Sequence, residues 1–367
     1  MNHTDELIDS IKKGLLGLNV GISTGLPKLD EIIAGVQKAT IYNVAAGQGV
    51  GKSSLALYSF IYEPLKVHLN DSNYKIIYFS LELTAQSLLA KLLSLYIYDQ
   101  FQREISFKKL MSRTNKSKLT EEEFTLVEQS IPWLRQIEKQ LIIYDKALTT
   151  DGMYAFLKDY SNKNGNWVST PTGETYTPNN PDEIVLVAID HAALLKKKQG
   201  QSTKDAIDTA CSELIYFRNK CAYSSLILQQ LNRTSESMDR RKAEMQETEL
   251  QDLKDSAGPS EAADVVLSIF YPHRSKMTTY RGYKIAQGFR DRFRSIVILK
   301  NRYGDADGIV PLNFFGSIGL FRELDEPNTY DSITDYSKYL YLFPLVQPTL
   351  QVTDPFSDSQ ETPGFIF

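Results

Sequence analysis

The sequence predicts an α/β fold with a central, mostly parallel sheet flanked by helices. Three observations carry that expectation. Short apolar runs alternate with helical apolar spacing from Lys38 onward, and strands separated by helices imply a parallel sheet covered on both faces. A glycine-rich turn, Ala46-Gly47-Gln48-Gly49-Val50-Gly51-Lys52-Ser53, falls between the first strand-like run and the helix that follows it. The 367 residues, 42% hydrophobic and 23% charged, supply core material for one large domain with extensions or two ordinary ones, and exclude disorder throughout.

Residues 5–16 place Leu7, Ile8, Ile11, Leu15 and Leu16 at helical spacing. A lone three-turn helix is marginal in water, so this stripe needs a docking surface on its own domain or on a neighbouring subunit. Residues 39–45 then read as a buried strand, 52–62 as a helix, 75–80 as a strand and 85–101 as a helix. A more polar helix at 119–139 precedes a strand at 140–144, a helix at 151–161 and a strand at 184–189. A long helix at 205–221 leads to strands at 224–229, 264–270 and 295–300. Two segments break the rhythm. Residues 162–182, rich in Asn, Thr, Gly and Pro, read as a surface excursion, and the charged stretch 234–261 reads as a mobile loop inside the core domain.

Composition narrows the setting. No apolar run approaches the ~20 residues of a membrane span, and the N-terminus lacks the basic and apolar blocks of a secretory signal. Two cysteines, Cys211 and Cys221, make neither a disulfide framework nor a metal quartet, which points to a reducing cytosol. The net charge of −4 is uneven: residues 323–367 hold eight acidic side chains against one basic. The remaining body carries 40 basic and 37 acidic residues, a net of +3, so any nucleic-acid contact must come from local basic loops.

The sharpest chemical signal is the glycine-rich turn. Glycines let backbone N–H groups curl around phosphate oxygens, and the helix N-terminus adds a favourable dipole. Residues Ala46, Gly47, Gln48, Gly49, Val50, Gly51, Lys52, Ser53 and Ser54 form the candidate nucleotide-binding set, with Lys52 reaching the β- and γ-phosphates of ATP and Ser53 binding Mg²⁺. Ala46 departs from the glycine usual at the first position. Glu82 follows the apolar strand at 75–80 and is placed to orient and deprotonate an attacking water, although an acid at a strand end is ordinarily a solvated cap. Asp190 ends a second apolar strand in the pattern of an acid that holds Mg²⁺ through water; His191 beside it reads as a packing residue. Gln230 ends a third strand, either as a sensor of the γ-phosphate or as a plain polar terminus.

These runs together resemble the C-terminal motor domain of the DnaB-type replicative helicases, hexameric ring ATPases with a RecA-like core. The matching runs are Gly21-Ile22-Ser23-Thr24-Gly25 with Leu29-Asp30 and Ala34-Gly35, residues 45–53, Phe79-Ser80-Leu81-Glu82, Ile189-Asp190, Gln230-Leu231-Asn232-Arg233, residues 253–264, and Lys300-Asn301-Arg302-Tyr303-Gly304. They span 21–304 in family order. The resemblance implies Lys52 and Ser53 as nucleotide and Mg²⁺ ligands, Glu82 as catalytic base, Asp190 as the Mg²⁺-associated acid and Gln230 as sensor. It implies Lys300 and Arg302 as the basic pair inserted into the neighbour's ATP site; at i and i+2 of a strand they would share one face. It further implies homo-oligomerisation as a ring, single-stranded DNA as partner, and the cytoplasm of a bacterial or phage-infected cell.

Three basic clusters are candidates for contact with the strand's phosphates or for ordinary solvated surface. Lys196, Lys197 and Lys198 follow the Asp190 strand, and Arg233, Arg240, Arg241 and Lys242 follow the sensor strand; in RecA-like rings both loops face the channel. Arg290, Arg292 and Arg294 alternate, for strand contact or a subunit interface. The expected organisation is a linker helix at 1–20, the ATPase domain at 21–322, and an acidic tail at 323–367 that either docks a replisome partner through its apolar tip or simply solubilises. About twenty residues precede the matching region, leaving no expectation of a primase-contacting N-terminal domain and suiting a phage or mobile-element replication system. The function expected is an ATP-dependent motor that translocates on single-stranded DNA and unwinds duplex. The competing readings are a RecA- or KaiC-like regulatory ATPase and an ATP-gated loader or scaffold.

Overall fold

The apolar runs pair into strands whose alternate side chains enter two separate cores. In the computed structural model, which describes residues 3–17, 19–71, 73–112, 114–171, 173–231, 247–306 and 308–330, the strands are β1 (Ile41–Ala46), β2 (Tyr74–Ser80), β3 (Leu141–Tyr144), β4 (Gly165–Thr170), β5 (Gly173–Pro178), β6 (Ile184–Asp190), β7 (Ser224–Gln230), β8 (Val265–Phe270), β9 (Thr279–Tyr280), β10 (Tyr283–Lys284), β11 (Phe293–Asn301), β12 (Ile309–Phe315) and β13 (Leu320–Glu323). Nine form one sheet in the order β13-β12-β11-β8-β1-β7-β6-β2-β3. The six from β8 to β3 run parallel, and β11, β12 and β13 extend the sheet antiparallel. Tyr42, Val44 and Ala46 of β1 face one core, while Ile41 and Ala45 face the other. Burial on both faces explains why these strands read as continuous apolar runs rather than alternating ones.

The expected helices form, most of them with side-chain caps. Thr84, Thr120, Thr149 and Ser202 accept backbone N–H groups at the starts of Ala85–Phe101, Glu121–Ile137, Thr150–Lys163 and Thr203–Cys221. The helix after the glycine turn runs past the expected end at 62. It continues from Lys52–Leu55 through a π-helical stretch, Ala56–Tyr62, into Glu63–Val67. Pro64 has no N–H for the carbonyl of Phe60, and the Tyr74 hydroxyl donates to that carbonyl at 2.7 Å instead.

The structure adds detail to three segments. The excursion at 162–182 is ordered as the β4–β5 hairpin, held by Trp167, which stacks on Tyr216 and lies under the Lys158 ammonium, 3.3 Å from the ring centre. Of the stretch expected as a mobile loop, 232–246 lies outside the described residues, but Leu250–Ser256 is a 3-10 helix and Ala257–Ala262 an α-helix. At the far end, the structure carries β13 through Glu323, the residue at which the acidic tail was placed. The Glu323 carboxylate accepts the N–H groups of Lys28 and Leu29, and Tyr330 is buried with Tyr283 and Phe289. Residues 331–367, with the apolar tip, lie outside the described residues.

The helix His3–Leu15 answers the question its stripe raised. Leu7, Ile8, Ile11, Leu15 and Leu16 are all exposed, so the helix does not bury them on its own domain. Among the described residues no helix is long and apolar enough to cross a membrane.

Candidate active site

β1 delivers its last residue, Ala46, to a turn that only glycine tolerates at two points. Gly49 and Gly51 have φ of 71° and 120°, a region that strains any other residue. At Gly51 a side chain would also press on the rings of Phe314 and Phe321. Unlike the four capped helices, the one opening at Lys52 has no side-chain cap, which leaves its first N–H groups for an anion. Above the turn lies an open cleft of about 1020 Å³, solvent included, lined by Gly47, Gly49, Lys52, Ser53, Glu82 and Gln230. Gln48, Gly51 and Ser54 line it as well, whereas Ala46 and Val50 are buried beneath the loop.

Sheet order explains the gathering. β7 lies directly beside β1, with Gln230 in register with Ala46, and Leu231 N–H donates to Ala46 O at 3.0 Å. β2 lies beside β6 with Ser80 opposite Asp190, and Leu81 N–H donates to Asp190 O at 2.7 Å, fixing the turn that presents Glu82 at the cleft mouth. All these groups sit at the C-terminal edge of the parallel strands, where open α/β sheets bind ligands.

The electrostatics are those of a buried cation among carboxylates. Burial pulls the Lys52 ammonium below the usual lysine range, and Asp190 and then Glu82 oppose that shift. Asp190 is 1% exposed; its Oδ2 accepts the Tyr78 hydroxyl at 2.9 Å, and its Oδ1 is buried with no hydrogen-bond partner. An orphaned carboxylate oxygen and the Ser53 hydroxyl are hard oxygen donors that suit Mg²⁺, an ion that keeps several waters and takes few protein ligands. Among the described residues no group of three or more His, Cys, Asp or Glu side chains is placed to hold a metal by itself. His191 has its basicity lowered, first by burial and then by Lys52.

The sequence pattern did not single out Lys91. It lies on the helix Ala85–Phe101, lines the same cleft and sits 5.4 Å from the Phe107 ring centre; burial likewise lowers its basicity, and Asp190 and Glu82 oppose that shift. A lysine in mid-helix carries no motif, so only its position relative to β2 and β6 reveals it.

The basic pair lies elsewhere. β11 runs antiparallel to β8, so its end, Asn301, pairs with Val265 at the start of β8, on the sheet edge opposite the glycine turn. A six-residue strand spans about 20 Å, too far for either side chain to reach the cleft of its own chain. Lys300 Nζ donates to Ser260 O at 2.9 Å, and Arg302 Nη1 to Asp264 Oδ1 at 2.8 Å. The expectation that the two share a strand face is corrected: the register shifts between Ile298 and Lys300, and Arg302 lies beyond the strand. Asp264, 2% exposed, also accepts Ile41 N–H at 2.9 Å and Arg218 Nη1 at 3.2 Å. Asp264→Ala is therefore expected to cost about 2–3 kcal/mol in chemical denaturation, because it strands a buried N–H and unpairs two guanidinium groups.

Lys196, Lys197 and Lys198 are exposed after β6, on the edge that carries the cleft, with Lys198 paired to Asp151 at 2.8 Å. Arg233, Arg240, Arg241 and Lys242 lie outside the described residues. The alternating arginines do not form one surface. Arg290 is exposed and Arg292 half-buried over Phe315, but Arg294 turns inward, donating through Nε to Val50 O at 2.7 Å, and burial lowers it to about 10.

Residues 21–323 match the family model described as the DnaB-like helicase C-terminal domain. No curated protein sequence matches. Among solved structures, one described as an ATPase domain is similar over 88% of this chain and 98% of that one, at 19% identity and a TM-score of 0.66. A DnaB-like replicative helicase, solved for its interactions with primase, is similar over 88% of this chain and 67% of that one, at 19% identity and a TM-score of 0.64. At that identity the two structures establish the fold, and the family match carries the assignment.

Proposed function

We propose, on the premise that this chain belongs to the DnaB-like helicase C-terminal domain family, that the cleft above the glycine turn is the ATP site of a ring motor completed by the next protomer. Membership makes the chain an ATP-dependent replicative DNA helicase and selects the motor over the regulatory ATPase and the loader scaffold. The observation that carries the site is the convergence of Lys52, Ser53, Glu82 and Gln230 on one cleft at the end of β1.

Within it, the loop N–H groups and the Lys52 ammonium hold the β- and γ-phosphates. Ser53 directly and Asp190 through water would hold Mg²⁺, which would neutralise charge on the phosphate oxygens. Glu82 accepts the proton of the attacking water, and Gln230 reports the γ-phosphate to the loop that follows it. Lys300 and Arg302, out of reach of their own cleft, serve a neighbour's. Six protomers form the ring, and the bare stripe of His3–Leu15 seats on an adjacent one. Lys196, Lys197 and Lys198 face the channel, and with Arg233, Arg240, Arg241 and Lys242 they bind the phosphates of single-stranded DNA. The setting is the cytoplasm, where Cys211 and Cys221, both free and buried, stay reduced.

Lys52→Ala tests the site. ATP affinity, measured by calorimetry, is expected to fall roughly 100-fold as the buried cation opposite the phosphates is lost. Wild-type affinity in this variant would remove the cleft from the reading. DNA-stimulated ATP turnover and fork unwinding, assayed on the same preparation, test the motor itself.

A further inference from the structure

Two arginines from outside the expected site donate to carbonyls of the glycine turn. Arg294 is 5% exposed, and its guanidinium lies 3.5 Å above the Tyr271 ring and 5.1 Å from the Phe314 ring centre. Its donors go to backbone carbonyls: Nε to Val50 O at 2.7 Å, and Nη1 to Asp291 O at 2.7 Å and Phe293 O at 2.8 Å. Arg274, on the loop between β8 and β9, donates through Nη1 to Gln48 O. Val50 and Gln48 each precede one of the two left-handed glycines of the turn. In a trans peptide the C=O and the next N–H point in opposite directions, so fixing the carbonyl fixes the N–H.

The geometry points to Arg294 and Arg274 as positioning residues of the nucleotide site: each holds a loop carbonyl from outside and so turns the N–H of the following glycine, Gly51 or Gly49, toward the phosphates. Charge-assisted bonds to the carbonyls also polarise the same peptides and strengthen those N–H donors. Arg294 is the more demanding of the two. An ammonium at that place cannot span three carbonyls and stack on Tyr271 at once. This inference rests on the proposed nucleotide site.

The test uses the full chain with Arg294→Lys and Arg274→Ala, the second altering an exposed side chain. ADP affinity by calorimetry is expected to weaken roughly tenfold in Arg294→Lys and about threefold in Arg274→Ala. Amide exchange in the unliganded protein is expected to quicken at residues 47–52 and nowhere else in the sheet. Wild-type ADP affinity in folded Arg294→Lys overturns the proposal. So does exchange that rises evenly across the sheet, which marks a merely structural role. Should Arg294→Lys fail to fold, unchanged ADP affinity in Arg274→Ala overturns it alone. Lys52→Ala separates the two claims. If that variant keeps ADP affinity, the nucleotide site itself is misassigned; if it loses affinity while both arginine variants keep theirs, only the bracing fails.

Discussion

Glu82→Gln is expected to keep ATP affinity within about threefold of wild type while lowering kcat by roughly 10²–10⁴. The change is isosteric, and Glu82 lies at the exposed mouth of the cleft, held by the turn after β2 rather than by a buried network. Its amide still orients a water but no longer takes the proton. In the proposed site binding depends on Lys52 and the loop N–H groups, which the change leaves alone. The measurement is single-turnover phosphate release beside equilibrium nucleotide binding. A variant that binds and hydrolyses within tenfold of wild type would move the base elsewhere. Lys52 and Lys91, the other titratable side chains lining the cleft, are cations and no substitute acceptors, so such a result would point to the Asp190 carboxylate or to a group from a neighbouring protomer.

What the sequence disclosed and what it hid have separate physical causes. The parallel strands were legible because burial on both faces turns each into an unbroken apolar run, and their order in the chain already interleaved them with helices. The glycine turn was legible because only one residue type satisfies its backbone. β12 escaped notice: Pro311 within it reads as a breaker, yet it pairs with Ser295 of β11 in an antiparallel ladder. The β4–β5 hairpin escaped because its strands, GNWVST and GETYTP, carry few apolar residues, and Trp167 is held by Tyr176 of its own hairpin, Tyr216 of one helix and the Lys158 ammonium of another. Arg294 misled through periodicity. Alternation with Arg290 and Arg292 suggests one exposed face, but Arg290–Arg292 is a 3-10 turn with φ of 52° at Arg290, and the strand begins only at Phe293. Pattern locates a residue on an element; it does not tell where a loop bends before the element starts.

The same limit applies to Arg302, whose proposed role rests on a contact that a single chain cannot make. Arg302→Ala is expected to abolish DNA-stimulated ATP turnover, with a loss of roughly 10³-fold or more, as for other guanidinium groups aimed at a reacting phosphoryl. Loss alone decides nothing, because Arg302 also neutralises the buried Asp264 carboxylate. Mixed assemblies decide it. An Arg302→Ala protomer retains an intact glycine turn, and a Lys52→Ala protomer retains an intact arginine. Each is inactive by itself, yet random 1:1 mixing creates about a quarter of interfaces in which an intact turn meets an intact arginine, since head-to-tail contacts pair unlike surfaces. Turnover is therefore expected to rise on mixing toward about that fraction of wild type. Arg302→Lys adds the control: it keeps a cation beside Asp264 but lacks the planar fork, so stability is retained while turnover is not. If mixing restores nothing and Arg302→Lys is fully active, the residue serves Asp264 within its own chain, and the positive charge that completes the ATP site belongs to another group.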